Sequence, residues 1–506
     1  MQTANRVAIN TVIQYVKLIV NVLVGLISVR VLLNALGAED YGIYDVVGGV
    51  IALLAFINSS LSQSSIRFLS VSLGKRDIND TRTVFNNCFW IHLLVSIIIA
   101  LIFETIGSLL FHNFLNIPAE RLGAAKSVYH FMVIILFLQI SITPFNALII
   151  SHEKFVFSSV VSIIDSLLKL SIAFVIKYVA TDKLMLYGGL MAGVTVINSI
   201  LSIIYSFLLF KNEIFIGRLS FRGIKELVTF VGWTILDVVS QLSTRQGYSI
   251  MFNKFFGPAI NAVYALSRQI EGNFYYLSAS VIDSMKPQIM KSYGDGNTDR
   301  MIRLSLTSGK LGFFMISILA IPFLVMMPTI LKLWLVNVPE GTVFFARMML
   351  LACMVEQLTK GMVYTCQATG NIKLFSIIIS FIRFLALPVS IICLYFGAEP
   401  SAAMIIYLIC ETTGSFSRVI IISKITDFKT GDFIKSVFLK ILPPVIVLYI
   451  ISYGIYRFNS SIVTCMLNLI LTSIIYAVLF YVISLDRIEK QSIKSLVNSF
   501  LSKIRR

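Results

Sequence analysis

Lys17, Asn21, Asp237, Gln241, Arg245, Tyr264, Arg268 and Glu271 stand inside stretches otherwise built of Val, Ile, Leu and Phe. A charge within such a stretch is costly in hydrocarbon, so it should face a wet cavity or an opposite charge. The set holds both signs, two amides and a phenol, which is equipment for binding a polar group. Guanidinium groups grip phosphate through a planar fork, and tyrosine rings stack on sugar faces. These eight are therefore the candidate substrate-binding residues, and an anionic, sugar-bearing head group is the ligand class they suit. The competing reading is interhelical glue, in which the same groups satisfy one another between packed helices.

Their spacing says what holds them. Asn10, Gln14, Lys17, Asn21 and Ser28 recur at helical intervals and fall on one narrow face of an apolar helix. Adding 220 to Gln14, Lys17, Asn21 and Ser28 gives Thr234, Asp237, Gln241 and Tyr248, again one polar face. The same offset, without gaps, turns Gly37 into Gly257, Tyr44 into Tyr264, Ser60 into Ser280, Ser64 into Ser284 and Gly74 into Gly294. Tyr264, Arg268, Glu271, Tyr275 and Ser278 share the next face along. A duplicated unit keeping a polar stripe in both copies suggests a transporter with its pathway between two halves.

The solvent follows from composition. Hydrophobic residues make up 57% of the 506-residue chain, charged residues 13%, and mean hydropathy is +0.87. Apolar runs last about 20–28 residues, the length of a membrane-spanning helix rather than a barrel strand. The net charge of +17 is distributed by side, not gathered into a nucleic-acid-binding patch. With the N-terminus inside, 24 Lys and Arg fall on inner segments, whereas Arg121, Lys126, Lys183, Lys254 and Arg457 fall outside. This bias predicts both termini in the cytoplasm of a multi-pass membrane protein, with basic inner loops suited to anionic lipid heads.

The expected fold is all-α and polytopic, with about fourteen transmembrane helices: two parallel six-helix bundles and two additional C-terminal spans. The bundles are expected over 1–210 and 227–424, joined by a basic cytoplasmic linker over 211–226. The extra spans occupy 425–485, and a basic amphipathic tail on the inner leaflet occupies 486–506. The first span is expected to end at Gly37, the second to run from Tyr41 to about Ser65. Pro144, Pro322, Pro328 and Pro388 are kink candidates. His152-Glu153-Lys154 reads as a tight inner turn, answered in the second half by Gly370-Asn371-Ile372-Lys373.

Other chemistries find little support. No loop exceeds about twenty residues, too short for a soluble catalytic domain, so an enzyme is not expected. No phosphate-binding GxxxxGK[ST] run is present. His92, His112, His130 and His152 form no close pair, and the six cysteines form no CxxC, so neither a metal nor a cofactor is implied. Trp90 and Trp334 lie near span ends, as interfacial anchors do. Asp165/Lys169 and Glu356/Lys360 are i, i+4 pairs able to neutralise one another, and Arg383 has either Glu411 or the neighbours of Arg418 as partners, a choice the sequence leaves open. Arg30 falls opposite the Lys17 face, where snorkelling to the interface competes with cavity lining.

The stretch Arg30-Val31-Leu32-Leu33-Asn34-Ala35-Leu36-Gly37-Ala38-Glu39-Asp40-Tyr41-Gly42-Ile43-Tyr44 resembles the Arg…Leu-Gly-x-x-x-Tyr-Gly-x-Tyr turn between spans one and two of a known family. That family is the polysaccharide-transporter branch of the multidrug/oligosaccharidyl-lipid/polysaccharide exporter superfamily. In the second copy Gly257-Pro258-Ala259-Ile260-Asn261-Ala262-Val263-Tyr264 has lost the Tyr-Gly pair. The resemblance implies a flippase of the bacterial inner membrane carrying undecaprenyl-diphosphate-linked oligosaccharide to the outer leaflet by alternating access, for O-antigen, capsule or exopolysaccharide assembly. It also implies a polysaccharide polymerase and glycosyltransferases as partners. Arg245 and Arg268 correspond by location to the cavity arginines of related lipid II flippases. Coupling to H⁺ or Na⁺ through Asp237 or Glu271 is left open. The alternatives are a cation-coupled multidrug exporter on the same fold and a membrane glycan polymerase or ligase.

Overall fold

The computed structural model describes residues 2–52, 55–111, 117–221, 223–335, 337–458, 461–491 and 494. Its elements are helices: α1 (Gln2–Ala52), α2 (Ala55–Lys75), α3 (Ile78–Leu109), α4 (Leu122–Ser141), α5 (Thr143–Ser151), α6 (Phe155–Ile176) and α7 (Lys183–Phe210). There follow α8 (Ile224–Gly294), α9 (Thr298–Trp334), α10 (Thr342–Thr369), α11 (Lys373–Tyr395) and α12 (Pro400–Ile425). The short α13 (Thr430–Phe433) leads into α14 (Leu439–Phe458) and α15 (Ile462–Leu479). Twelve of the described helical segments are long and apolar enough to cross a membrane. One of them, 224–294, is long enough for two crossings. The second span expected from the sequence, from Tyr41 to about Ser65, contains residues 53 and 54, which lie outside the described residues, and it is not among the twelve. The chain is an integral membrane protein.

The repeat expected from the 220-residue offset is visible in the backbone. Gly37 interrupts α1 with φ +84°, and Gly257 interrupts α8 with φ +79°. Only glycine takes this left-handed region without strain. A Cβ at either position would meet nothing within 4 Å, so backbone conformation is what demands glycine there. Pro258 follows at once, its fixed φ suited to the first turn of the next helix.

The chain forms two compact units, Val12–Ile235 and Leu236–Arg506 with Met1–Thr11. In the first, α4 packs on α3 and α7, α2 on α3 and α5, and α6 on α7. Tyr129 sits at the centre of this core, donating its hydroxyl to the Phe103 carbonyl at 2.6 Å. At one end, Arg121 reaches Asp40 of α1 (Nε–Oδ1 2.7 Å) and Asp182 just before α7 (Nη1–Oδ2 2.8 Å), joining three segments of the chain. At the other, the segment after α7 is fastened to α3. Asn86 donates to the Arg218 carbonyl and accepts from the Gly217 amide, both at 2.8 Å. Trp90 donates to the Gly217 carbonyl at 2.7 Å, so its indole pins this segment, and interfacial anchoring is not needed to explain it.

In the second unit α10 packs on α9 and α12, α11 on α12, and the two additional spans α14 and α15 on α9. The α9–α10 contact is close: a Cβ on Gly361 would stand 2.0 Å from the Ser305 carbonyl oxygen. Without a hydrophobic drive between helices in lipid, such backbone approach and its dispersion contacts hold the pair. Lys310, 1% exposed, is held by Glu489 (2.7 Å) and Asp486 (3.2 Å), which ties the residues after α15 back to α9.

Several boundaries differ from the sequence expectation. The second span continues to Lys75 rather than stopping near Ser65, because serines bond back to the helix, as Ser64 does to the Ser60 carbonyl. Pro144 does more than bend its span: α4 ends at Ser141, and α5 restarts with Pro144 in its first turn. Pro322, Pro328 and Pro388, by contrast, lie within uninterrupted helices. The turn at 152–154 carries Glu153 at φ +60°, and its counterpart turns at Gly370 with φ +78°. The amphipathic tail expected over 486–506 lies outside the described residues from 492 onward, apart from 494.

Candidate functional site

Six of the eight candidate residues lie in the second unit, on the two arms of α8. Before Gly257, Asp237, Gln241 and Arg245 are four residues apart and so share a face; beyond it, Tyr264, Arg268 and Glu271 do the same. The arms meet through these residues. Arg245 Nη2 lies 3.4 Å from Glu271 Oε1, and Tyr264 donates its hydroxyl to the Arg245 carbonyl at 3.1 Å. Gln241 Nε2 bonds Asp237 Oδ2 at 3.3 Å.

Three further helices close a network that the sequence had shown only in fragments. From α11, Arg383 Nη1 bonds Asp237 Oδ1 at 2.6 Å, with Glu411 on α12 at 3.6 Å and Glu356 on α10 at 3.9 Å. Glu356 pairs with Lys360 one turn on at 3.1 Å, and it also meets Arg418 of α12 at 3.5 Å. Thus the expected Glu356/Lys360 pair forms, and so does the Arg383–Glu411 contact. The i, i+4 spacing had pointed to Glu356 and Lys360 as a closed pair; in the structure both also line a cavity. Arg418 is 2% exposed, and no local signal distinguishes it from an interfacial arginine. Taking two charges out of water costs several kcal/mol per ion, so a network of this kind fixes geometry more than it adds stability.

The network borders two cavities. One, about 150 Å³, is lined by Gln241, Arg245, Glu271, Tyr275, Tyr276, Glu356 and Lys360 with Gly272. The other, about 340 Å³, is lined by Arg245, Ala265, Arg268, Gln269, Glu271 and Gly272. Arg245 and Glu271 belong to both. Arg268 differs from its neighbours: among the described residues no carboxylate lies within 4.0 Å of it. Its guanidinium stands 5.9 Å from the Tyr264 ring centroid instead. Lys360 Nζ lies 5.7 Å from the ring of Tyr275 in the same way. A guanidinium over an aromatic face, with no described carboxylate in salt-bridge contact, is a receptor for an incoming anion.

Lys17 and Asn21 lie in the first unit, on α1. Asn21 is engaged on both sides of its amide, donating to Ser162 at 3.0 Å and accepting from Ser166 at 2.8 Å, which ties α1 to α6. Lys17 is partly buried, and Arg30 is exposed. The expected Asp165–Lys169 pair forms at 2.8 Å. Among the described residues no group of three His, Cys, Asp or Glu is placed to hold a metal ion.

Residues 15–175, within the first unit, match the MatE family model. No curated protein sequence matches the chain. Solved structures resemble it over most of its length. A MATE crystal structure in the bent conformation is 13% identical with TM-score 0.72, covering 84% of this chain and 97% of its own. An outward-facing multidrug resistance MATE family transporter of the MOP superfamily is 13% identical with TM-score 0.69, covering 83% and 96%. A MOP superfamily transporter from Pyrococcus furiosus Vc1, described by the reverse polarity of its binding pocket, is 12% identical with TM-score 0.68, covering 85% and 96%. At such identities the likeness shows the fold, and the fold is that of the MATE transporters.

Proposed function

We propose that this chain is a membrane exporter working by alternating access, and that its cargo is an amphiphile whose polar end carries negative charge. The observation that carries the reading is Arg268, a guanidinium with no carboxylate in salt-bridge contact among the described residues, lining a cavity of about 340 Å³. Arg245 lies on the same cavity, and an anion entering there would compete with Glu271 for it. Protonation of Glu271 would likewise loosen its contact with Arg245, which is where coupling to H⁺ would act. Coupling through Asp237 would have to break its 2.6 Å bond to Arg383.

Two cargo classes compete for such a site, and only the second meets this description. The names of the structural neighbours support a drug exporter more directly than any other cargo, since one of them is a multidrug resistance transporter. The fold also accommodates a pocket of reversed polarity, by the description of the Pyrococcus protein. The second reading, export of a lipid-linked oligosaccharide, is favoured by the arginines: a diphosphate is the anion that planar guanidinium groups hold best. The lipid tail would remain in the bilayer.

Reconstitution distinguishes the two. Purified protein in liposomes is given either a fluorescent cationic drug or a labelled polyprenyl-diphosphate oligosaccharide, with Arg268→Ala as the paired variant. Movement of the glycolipid, abolished by R268A, supports the oligosaccharide cargo. Drug transport indifferent to R268A, with no glycolipid movement, overturns the anionic-head reading.

A further inference from the structure

The first unit holds a cavity of about 430 Å³ that the candidate site does not use. We infer that it is a binding pocket for an uncharged, polyhydroxylated group such as a glycosyl residue. The inference rests on the oligosaccharide reading above and adds to it the place where the neutral part of the cargo is held.

The lining is the argument. Seven serines and threonines and four amides, Asn58, Gln139, Asn146 and Asn198, make up most of the wall. The volume lies within the range of about 300–1,000 Å³ found for small-ligand pockets. Phe157 adds one flat apolar surface, its ring stacked on Tyr205 at 3.7 Å between centroids. A pyranose needs this combination: many donors and acceptors around the rim and an aromatic plane for its C–H face.

The charges in the pocket cancel. Asp165 Oδ2 is paired with Lys169 Nζ at 2.8 Å, and its other oxygen accepts from Asn198 Nδ2 at 2.7 Å. A cation entering the pocket would have to displace Lys169, and an anion would meet Asp165. A neutral polar group faces neither penalty. Meanwhile hydrogen-bonding capacity is left over. Asn198 Oδ1 is buried with no hydrogen-bond partner. Asn58 uses only its oxygen, accepting from Thr143 at 2.9 Å. The side-chain amides of Gln139 and Asn146 make no hydrogen bond to the described protein. Asn198 Oδ1 is thus a buried acceptor without a partner, whereas the amides of Gln139, which is exposed, and of Asn146 and Asn58, which are half-buried, are open to bonding a ligand hydroxyl. Asn21 supports the wall from behind by holding Ser162.

The test uses the full-length protein in lipid nanodiscs. Thermal stabilisation is titrated with glucose, N-acetylglucosamine and diacetylchitobiose, then with tetraphenylphosphonium and inorganic pyrophosphate. At least one sugar should stabilise the protein saturably. Asn198→Leu should weaken that effect about fivefold, the loss expected for one hydrogen bond. Gln139→Ala, which removes a side chain making no bond to the described protein and so spares folding, should do the same. Arg268→Ala should leave sugar binding unchanged and abolish the response to pyrophosphate. Saturable binding of tetraphenylphosphonium with the same Gln139 dependence, or no response to any sugar, would overturn the pocket. Sugar binding that persists while pyrophosphate has no effect would spare the pocket and sink the anionic-head reading.

Discussion

Arg383 and Asp237 are 146 positions apart in sequence and 2.6 Å apart in space. The bond joins α11 to the first arm of α8 and sets the orientation of the face that also carries Gln241 and Arg245. Arg383 is nearly fully buried, so its charge depends on Asp237, Glu411 and Glu356 for compensation.

Replacing one partner of this pair should cost more than replacing both. Asp237→Leu leaves Arg383 with two more distant carboxylates, and the loss should be about 3 kcal/mol, the lower end for a broken buried pair. The double variant Asp237→Leu/Arg383→Leu should recover at least half of that. Denaturant unfolding of the four proteins in one detergent gives the coupling directly, and additive losses would mean the two side chains do not act together.

Arg268→Ala should behave oppositely, because no described carboxylate is in salt-bridge contact with it and Glu271 keeps its contact with Arg245. Stability should change by less than about 1 kcal/mol, as for an exposed group, while transport falls at least tenfold. Melting temperature and initial transport rate, measured on one preparation, check the two halves of this statement. A large loss of stability would mark Arg268 as structural.

Gly361 and Gly257 should respond to alanine for different reasons. At Gly361 the added Cβ meets the Ser305 carbonyl oxygen at 2.0 Å, and α9 and α10 must separate. Overpacking of that kind costs about 1–3 kcal/mol or more. At Gly257 there is room, and alanine meets only the left-handed backbone, a cost of about 1–2 kcal/mol. Truncating Ser305 cannot rescue Gly361→Ala, since the clash is with backbone. Expression yield and melting temperature of the three variants test the distinction.

The Asp40–Arg121–Asp182 cluster predicts a pH dependence. For Asp182, partial burial alone would raise the carboxyl. The Met185 amide and the Arg121 guanidinium outweigh burial and hold it below the usual carboxylate range. A depressed folded value means the contribution is present above the unfolded value, near 3.9. It is lost as pH falls through the lower folded value. The cluster should therefore be indifferent to pH between about 5 and 8 and weaken below about 4. Because these side chains are partly exposed, the effect is small, up to about 1 kcal/mol for Arg121→Ala at neutral pH. The difference in melting temperature between the native chain and this variant should shrink on moving from pH 7 to pH 3.

The sequence by itself determined the solvent, the helical class and the internal repeat. These are local or periodic properties: hydrocarbon forces every span to satisfy its own backbone, and an offset of 220 residues is countable without coordinates. Gly37 and Gly257 were legible as a matched pair because a turn with positive φ constrains residue type wherever it occurs. The i, i+4 pairs Asp165/Lys169 and Glu356/Lys360 were legible because one helix suffices to make them. What only the tertiary structure decided is which charges share a space. The contact of Arg383 with Asp237, the burial of Arg418 against Glu356, and the lack of a described carboxylate in contact with Arg268 depend on the rotation of helices far apart in sequence. The polar cavity around Asn198 depends on it too, since its wall is drawn from α2, α4, α5, α6 and α7. Helical periodicity tells which side of each helix is polar; packing alone tells what that side faces.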